Sequence, residues 1–250
     1  MDPARGAGAV LTIIRTVAET GSTNADLLVL AVDGAVDEGV WLRAERQHAG
    51  RGREGRNWLS PAGNLYVSTV VRMRPTDPAA SGLALIAAVA LDDAVGVFLD
   101  RSGSTVQRWL KWPNDLLIDG AKLSGILLER QGPAVVVGFG VNLHHHPDLA
   151  GRRTTSLTAV GVPVEPDVFL EVLGDSFARW LQRWRVEGLG AVRQRWLARA
   201  HPIGTGLTVR SPDGEVLDGL FDGLADDGAL LLRLASGERR VIHAGDVFHL

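Results

Sequence analysis

A glycine-rich loop with three arginines is the segment whose residue types most clearly indicate chemistry. Residues Gly50–Arg56 read Gly-Arg-Gly-Arg-Glu-Gly-Arg. The spacing matches the dinucleotide fingerprint only formally, because that fingerprint needs a helix at its glycines and here Pro61 and Gly63 follow. We predict that the guanidiniums bind carboxylate or phosphate groups and that the glycines let the loop close over an anionic ligand. A solvated basic turn is the alternative.

The chain has only two lysines among its 26 basic residues. Lys111 and Lys122 lie eleven positions apart, on either side of Asp115, in segments that predict two strand ends of one hairpin. A lysine kept in an arginine-rich chain indicates a compact charge for which arginine does not substitute, as at phosphate oxygens. Asp115 has the chemistry to accept a proton or to bind a metal. The alternative is a turn with a surface ion pair.

Two further segments carry candidate polar groups. Gly138–Asn142 is an apolar run in which the glycines indicate a bulge or a close ligand, and its asparagine needs hydrogen-bond partners. His144–His146 invites a metal-binding interpretation, but consecutive side chains diverge and no carboxylate lies at ligand spacing. We therefore predict no metal site built by the protein. A P-loop and a nucleophile elbow are absent from the sequence.

Apolar periodicity and turn residues predict the elements that must position these side chains. A helix follows Gly21–Asn24, which supply its N-cap, and the loop at residues 46–56 joins two strands. Strands are predicted over residues 11–16, 40–45, 65–73, 106–112, 116–118, 123–129 and 134–141. Helices are predicted over 25–32, 81–99, 166–186 and 191–200.

The pattern changes near residue 203. Beyond it five short apolar stretches alternate with turns, which is typical of a small β-barrel. This tail carries four basic and eight acidic residues, whereas the whole chain has a net charge of −3. We predict two domains, 1–203 with the chemistry-bearing motifs and 204–250 without them.

Composition excludes several classes of protein. The chain is 46% hydrophobic and 22% charged, as in globular proteins, and it has no cysteine for disulfides, zinc–thiolate sites or thiol nucleophiles. The balance of charge does not favour nonspecific binding to nucleic acid. No uninterrupted apolar run approaches the ~20 residues of a membrane span, and residues 7–10 are too weak for a secretory signal. We expect a cytoplasmic protein without membrane or nucleic-acid partners.

Taken together, these motifs resemble the biotin–protein ligases (biotin–[acetyl-CoA-carboxylase] ligases) over about residues 12–250. The matching segments occur in the family's order: Gly21–Asn24, Gly50–Trp58, Lys111–Asp115 with Lys122–Glu129, and Gly138–Asn142. The resemblance implies an α+β fold. Its catalytic domain would be a class II aminoacyl-tRNA synthetase-like mixed β-sheet with flanking helices, followed by a C-terminal SH3-like β-barrel.

The resemblance also implies a reaction. Biotin and ATP, with Mg²⁺, would form biotinyl-5′-AMP, which a lysine of a biotin carboxyl carrier domain then attacks. The carrier would belong to an acyl-CoA or pyruvate carboxylase, and the ligase would be a monomer or weak homodimer. Some members begin with a winged-helix repressor domain. About eleven residues before the first strand are too few for it, so we expect a ligase without repressor activity.

By position, the resemblance assigns roles to residues in these motifs. The catalytic set comprises Lys122 at the carboxylate and α-phosphate, Asp115 as the candidate for activating the incoming amine, and Arg51 and Arg53. The biotin site would comprise Ser22, Thr23, Asn24, Gln47, Gly50, Arg51, Gly52, Arg53, Lys122 and Gly125. The nucleotide site would comprise Arg51, Arg53, Arg56, Trp58, Lys111, Asn114 and Asn142.

Two alternatives from other classes stay open. Lipoate and octanoyl transferases share the fold, although the octanoyl branch needs a cysteine nucleophile that this chain lacks. A non-catalytic biotin sensor would have no need of Lys122 and Asp115.

Overall fold

A computed structural model describes residues 13–149 and 151–249. A seven-stranded sheet is formed by β1 (Ile13–Thr20), β2 (Val40–Gln47), β3 (Leu65–Arg72), β4 (Arg108–Lys111), β5 (Asp115–Ile118), β6 (Ala121–Gln131) and β7 (Ala134–Val141). The helices are α1 (Thr23–Val32), α2 (Gly82–Ser102), α3 (Pro166–Glu187) and α4 (Gly190–Leu197). A second, five-stranded sheet is formed by β8 (Gly206–Arg210), β9 (Val216–Leu224), β10 (Leu230–Arg233), β11 (Arg239–Ile242) and β12 (Asp246–His249).

The large sheet is mixed, as predicted. Its order is β1-β2-β3-β7-β6-β5-β4, and β1 with β2 is its parallel pair. The arginine-bearing loop joins β2 to β3, which pair antiparallel. The first strand runs four residues beyond its predicted end at Thr16, while positions 7–12 of the predicted N-terminal segments lie outside the described residues. The α+β fold class is confirmed.

Alternation along β7 assigns its residues to two faces of the sheet. Val135 and Val137 belong to the larger core, which is formed with α2 and α3. Ala134 and Val136 face the other way and pack in a smaller core with Leu27 of α1. The next positions on that face are glycines, so the sheet has no side chains where α1 begins.

The start of α1 follows from its sequence. Ser22 has an extended backbone, and its Oγ accepts from the amide of Ala25 at 3.5 Å. This is the N-cap that the sequence predicts. Because the cap fixes the first turn, the side chains of Thr23 and Asn24 are buried against the sheet.

Helix α2 is long and apolar enough to cross a membrane by length and composition, but it is mostly buried inside the protein. It carries Asp92, whose side chain is fully buried. The carboxylate of Asp92 accepts from Arg108 at 2.9 Å and from Arg195 at 2.6 Å. It therefore links α2 to β4 and α4.

The second sheet has the order β11-β10-β9-β8-β12 and is antiparallel throughout, consistent with the predicted SH3-like barrel. Its side chains Phe221 and Val247 belong to the same apolar core as Trp112 and Trp196. The indole of Trp112 donates to the carbonyl of Gly228 at 3.2 Å. The boundary near residue 203 stays a prediction, because one core continues across it.

We predict that Asp92→Asn lowers the free energy of unfolding by about 3 kcal/mol, since it leaves the enclosed guanidinium of Arg108 without its close counter-charge. Chemical denaturation measures the change. The matched control is Asp100→Asn, which removes an exposed carboxylate 4.0 Å from the same arginine. Equal effects of the two substitutions would contradict the assignment.

Candidate active site

A cleft of about 1170 Å³, part of it open to solvent, lies over the glycine-bearing face of the large sheet. It is bounded by the start of α1, the arginine-bearing loop, the β4–β5 turn and the first residue of β12. All but one of the predicted site residues line it: Ser22, Thr23, Asn24, Gln47, Arg51, Gly52, Arg53, Arg56, Trp58, Lys111, Asn114, Asp115, Lys122, Gly125 and Asn142.

Gly50 is the predicted residue that does not line the cleft. Its carbonyl accepts from the amide of Trp58 at 2.9 Å. A Cβ at this position would lie 2.5 Å from the Trp58 carbonyl and 2.7 Å from Oγ of Ser60, which is too close for any side chain. In this structure Gly50 therefore shapes the base of the loop.

One end of the cleft is polar and rigid. The backbone amide and Oγ1 of Thr23 lie 2.9 and 3.1 Å from Oε1 of Gln47. The amide nitrogen of Gln47 donates to Ser60, which in turn donates to the carbonyl of Trp58. These contacts hold the Gln47 amide in one orientation, with its oxygen beside Thr23.

The middle of the cleft contains an ion pair. Nζ of Lys122 lies 2.5 Å from Oδ1 of Asp115, and both side chains are about nine-tenths buried. Among the described residues, Oδ1 has no other hydrogen-bond partner than this ammonium. The same ammonium lies 5.3 Å from the ring centre of Trp58. Because water is largely excluded here, the charge of Lys122 acts at greater strength than it would at the surface.

The ring of Trp58 rests on bare backbone. A Cβ at Gly140 would lie 2.5 Å from the indole, and one at Gly125 would lie 3.1 Å from it. The two glycines are register partners on β7 and β6. The indole Nε1 is buried and has no hydrogen-bond partner among the described residues, so it is a donor available to a ligand.

Lys111 lies at the other side of the β4–β5 turn. Burial lowers the pKa of its ammonium, and the nearby charges of Arg152 and Lys122 lower that pKa further, while Asp115 opposes them. Nζ lies 5.8 Å from the ring centre of Phe248. Lys111 and Arg152 add positive charge to the same cleft, which suits an anionic ligand.

The arginines of the loop contact the C-terminal sheet. Arg56 donates to Asp246 at 2.9 Å, and Arg53 donates to the carbonyl of Gly245 at 3.1 Å. Burial alone would raise the pKa of Asp246, but the hydrogen bond and charge of Arg56 outweigh it and hold that pKa below its ordinary value. Sequence reasoning missed Asp246, because nothing in its local sequence connects it to a loop 190 positions away.

The two asparagines predicted for the nucleotide are held by backbone groups. Nδ2 of Asn114 donates to the carbonyl of Ile126 at 2.7 Å, and Nδ2 of Asn142 donates to the carbonyl of Thr155 at 3.1 Å. Each amide group therefore has a fixed orientation, which is what selective hydrogen bonding to a base or ribose needs.

The histidine run builds a turn. The amides of Leu143, His144 and His145 all donate to Oδ1 of Asn64 at 2.9–3.0 Å. The ring of His144 contacts the carbonyl of Val164. In the ranges that the structure describes, no three His, Asp or Glu side chains form a group suited to a metal ion.

Comparison with known proteins agrees with this fold and site. Residues 36–144 match the biotin/lipoate A/B protein ligase family, and residues 203–250 match the biotin protein ligase C terminal domain. The biotin–[acetyl-CoA-carboxylase] ligase of Paracoccus denitrificans is 40% identical, covering 93% of this chain and 98% of that protein. The ligase of the same description from Mycobacterium tuberculosis is 39% identical over 98% of this chain and 92% of its own length.

Among solved structures, the biotin protein ligase from Aquifex aeolicus in complex with biotin and ATP superposes with a TM-score of 0.83 at 22% identity, covering 96% of this chain and all of that one. The mixed sheet, the cationic cleft and the C-terminal barrel define the class of protein ligases for small carboxylic acids. The chain belongs to the biotin/lipoate A/B protein ligase family, among the biotin–[acetyl-CoA-carboxylase] ligases. The resemblance inferred from the sequence motifs is thereby confirmed.

We predict that Asp246→Asn increases amide hydrogen exchange in residues 50–57 roughly five-fold, because the loop loses a charge-assisted contact of about 1 kcal/mol. Exchange mass spectrometry on the ligand-free protein measures this. The control Asp222→Asn removes a carboxylate of the same sheet that pairs with Arg239 away from the loop. Unchanged exchange in Asp246→Asn would show that the contact does not hold the loop.

Proposed function

We propose that this chain joins biotin to a lysine of a biotin carboxyl carrier domain through biotinyl-5′-AMP. The observation that carries the proposal is the position of Lys122. It is enclosed with Asp115 in a cleft that has the rigid polar pocket of Thr23 and Gln47 and the arginines of the loop among its lining. Ligands with a polar head, a carboxylate and a phosphate match that set of groups.

In the first half-reaction a carboxylate oxygen of biotin attacks the α-phosphorus of ATP, and pyrophosphate leaves. Negative charge grows on the phosphoryl oxygens in the transition state. Lys122 supplies a compact positive charge there, and Arg51, Arg53 and Arg56 supply planar donors for the phosphate groups. The biotin head is held by Ser22, Thr23 and Gln47, with backbone from Gly52 and Gly125. Asn24, which the sequence also predicted for this site, has its amide bonded to Glu129 and Ser68 and supports the pocket from the side of the sheet.

In the second half-reaction the amine of the carrier lysine attacks the acyl carbon, an amide bond forms, and AMP leaves. The attacking nitrogen must lose a proton. The carboxylate of Asp115 is buried beside Lys122, and it fits an acceptor for that proton when the ammonium of Lys122 turns to the phosphate. Asn114, Asn142, Trp58 and Lys111 hold the nucleotide.

The carboxylates that the structure describes in the cleft do not form a metal site. Asp115 and Asp246, two carboxylates that line the cleft, are each already paired with a cation and do not fit a resident metal. Mg²⁺ would enter on the phosphates of ATP as part of the substrate.

The acceptor is the carrier domain of acetyl-CoA carboxylase or another biotin-dependent carboxylase. We propose that the reaction takes place in the cytoplasm and that the enzyme is a monomer or a weak homodimer.

Pyrophosphate release tests the function directly. The protein is incubated with MgATP and either biotin, lipoate or octanoate, and then with a carrier domain whose mass is followed. Release with biotin alone, and a carrier heavier by one biotinyl group, support the proposal. A carrier with arginine in place of its target lysine is the control. Release with lipoate instead would identify a lipoate ligase, and binding of biotin without release would identify a sensor.

We predict that Lys122→Ala leaves a folded protein but slows adenylate formation about 10²–10³-fold, because a charge partner of the transition state is lost. Lys122→Arg is also expected to be slow, since a planar fork does not replace a compact ammonium. Single-turnover pyrophosphate release measures both variants, with thermal melting as the check on folding. Near-normal release by Lys122→Arg would contradict the assigned role.

We predict that Arg53→Gly forms the adenylate but releases it. A charge-assisted hydrogen bond contributes about 1.5–3 kcal/mol, so its loss raises the escape rate roughly 10–100-fold. Escaped biotinyl-AMP reacts with any lysine. The measurement is biotin blotting of albumin incubated with enzyme, biotin and MgATP. The control is Arg46→Ala, an exposed arginine paired with Glu19. Background labelling by Arg53→Gly, with adenylation verified, would show that Arg53 does not retain the intermediate.

A further inference from the structure

A line of polar side chains crosses the sheet beneath the polar end of the cleft. It runs from Glu129 on β6 through Asn24 and Ser68 to Thr23. Asn24 and Thr23 are 4% exposed, and Ser68 on β3 is fully buried. Ser68 lies outside the sequence motifs, and Glu129, the last residue of the Lys122–Glu129 segment, is not among the predicted ligand-binding residues.

The orientation of the Asn24 amide is fixed by its neighbours. Its nitrogen lies 2.9 Å from Oε2 of Glu129 and 3.3 Å from the carbonyl of Leu127. Both neighbours accept hydrogen bonds, so the nitrogen must face them. Oδ1 of Asn24 then faces Ser68, at 2.6 Å. A Cβ at Gly138 would lie 2.1 Å from Oδ1, so the glycine makes this position accessible to the amide.

The direction of each hydrogen bond along this line follows from the number of protons that each group carries. Oγ of Ser68 lies 2.6 Å from Oδ1 of Asn24 and 2.7 Å from Oγ1 of Thr23, but it carries a single proton. Oδ1 of Asn24 has no proton to offer, so the proton of Ser68 goes to Asn24. The short contact with Thr23 then needs the proton of Thr23. With that proton turned toward Ser68, the hydroxyl of Thr23 presents lone pairs to the cleft.

We propose that Ser68 is a positioning residue that makes Thr23 a hydrogen-bond acceptor and so selects ligands with an N–H group at this point. Oε1 of Gln47 can accept the Thr23 proton at 3.1 Å, but the contact of Thr23 with Ser68 is shorter, at 2.7 Å. While the proton is held by Ser68, the oxygens of Thr23 and Gln47 are two acceptors side by side. The ureido ring of biotin offers N–H donors to such a pair. The inference rests on the proposed function and adds the origin of its selectivity.

The test compares biotin with its two cyclic carbamate analogues, each with oxygen in place of one ring N–H. Calorimetry measures their dissociation constants without ATP. We expect the wild type to bind at least one analogue 10-fold or more weakly than biotin, since a ring oxygen has no proton for the acceptor pair. In Ser68→Ala the Thr23 proton turns to Oε1 of Gln47 and occupies the lone pair that this oxygen would otherwise offer to a ligand, since its other lone pair already accepts from the Thr23 amide. The ratio of the dissociation constant of that analogue to the dissociation constant of biotin is therefore expected to fall at least five-fold.

A second variant tests the same inference independently. In Asn24→Ala the proton of Ser68 turns to Thr23, so the ratio falls again, whether or not Ser68→Ala folds. The control is Thr69→Ala, which removes a buried hydroxyl on the other face of β3 that donates to the carbonyl of Val40. Its ratio is expected to stay at the wild-type value.

The outcomes separate this inference from the proposed function. A wild-type protein that does not bind biotin overturns both. A wild-type protein that binds biotin and both carbamates equally overturns the inference alone. So does a ratio that keeps its wild-type value in Ser68→Ala or Asn24→Ala, or one that falls as far in Thr69→Ala.

Discussion

The cleft depends on three glycines that leave one face of the central strands bare. Gly138 and Gly140 follow the apolar residues of β7 that pack under α1, and Gly125 is the register partner of Gly140 on β6. A Cβ at Gly138 or Gly140 would overlap the amide of Asn24 or the ring of Trp58. Both side chains therefore lie directly on backbone, and the pocket forms beside them. Without these glycines the start of α1 and the loop that carries Trp58 would be displaced from the sheet.

Charge is arranged locally and not through the net balance of the chain. The protein is formally −3, yet Lys111, Lys122, Arg152 and the arginines of the loop converge on one cleft. Burying so many cations together costs free energy unless anions accompany them. Asp115 and Asp246 provide two of these anions. The phosphates of the substrate supply the remaining negative charge. Without them the cleft has an excess of positive charge, so it attracts anions strongly.

The sequence was sufficient for what is encoded locally. Periodicity and turn residues predicted the order of strands and helices, and the motifs predicted half of the residues that line the cleft. The contacts that organise the site connect distant segments, such as Asp246 with the arginine-bearing loop and Ser68 with Asn24. A lone aspartate or serine in a strand has no local signature of its partner. Gly50 fits its motif, but only the position of Trp58 shows that its role in this structure is to let two backbones approach.

The two ends of the cleft meet opposite demands. Selection of a ligand needs fixed donors and acceptors, and the pocket at Thr23 lies on a capped helix against the sheet, with each polar atom oriented by a buried neighbour. Retention of the intermediate needs a cover that opens for ATP and AMP. The arginine-bearing loop suits this, because its attachments are side-chain contacts to Gly245 and Asp246 at the edge of a second sheet. A rigid cover would trap the product, and a loose pocket would not distinguish ligands. The second sheet therefore contributes to the cleft, since Asp246 and Val247 line it and the contacts to Gly245 and Asp246 hold the loop.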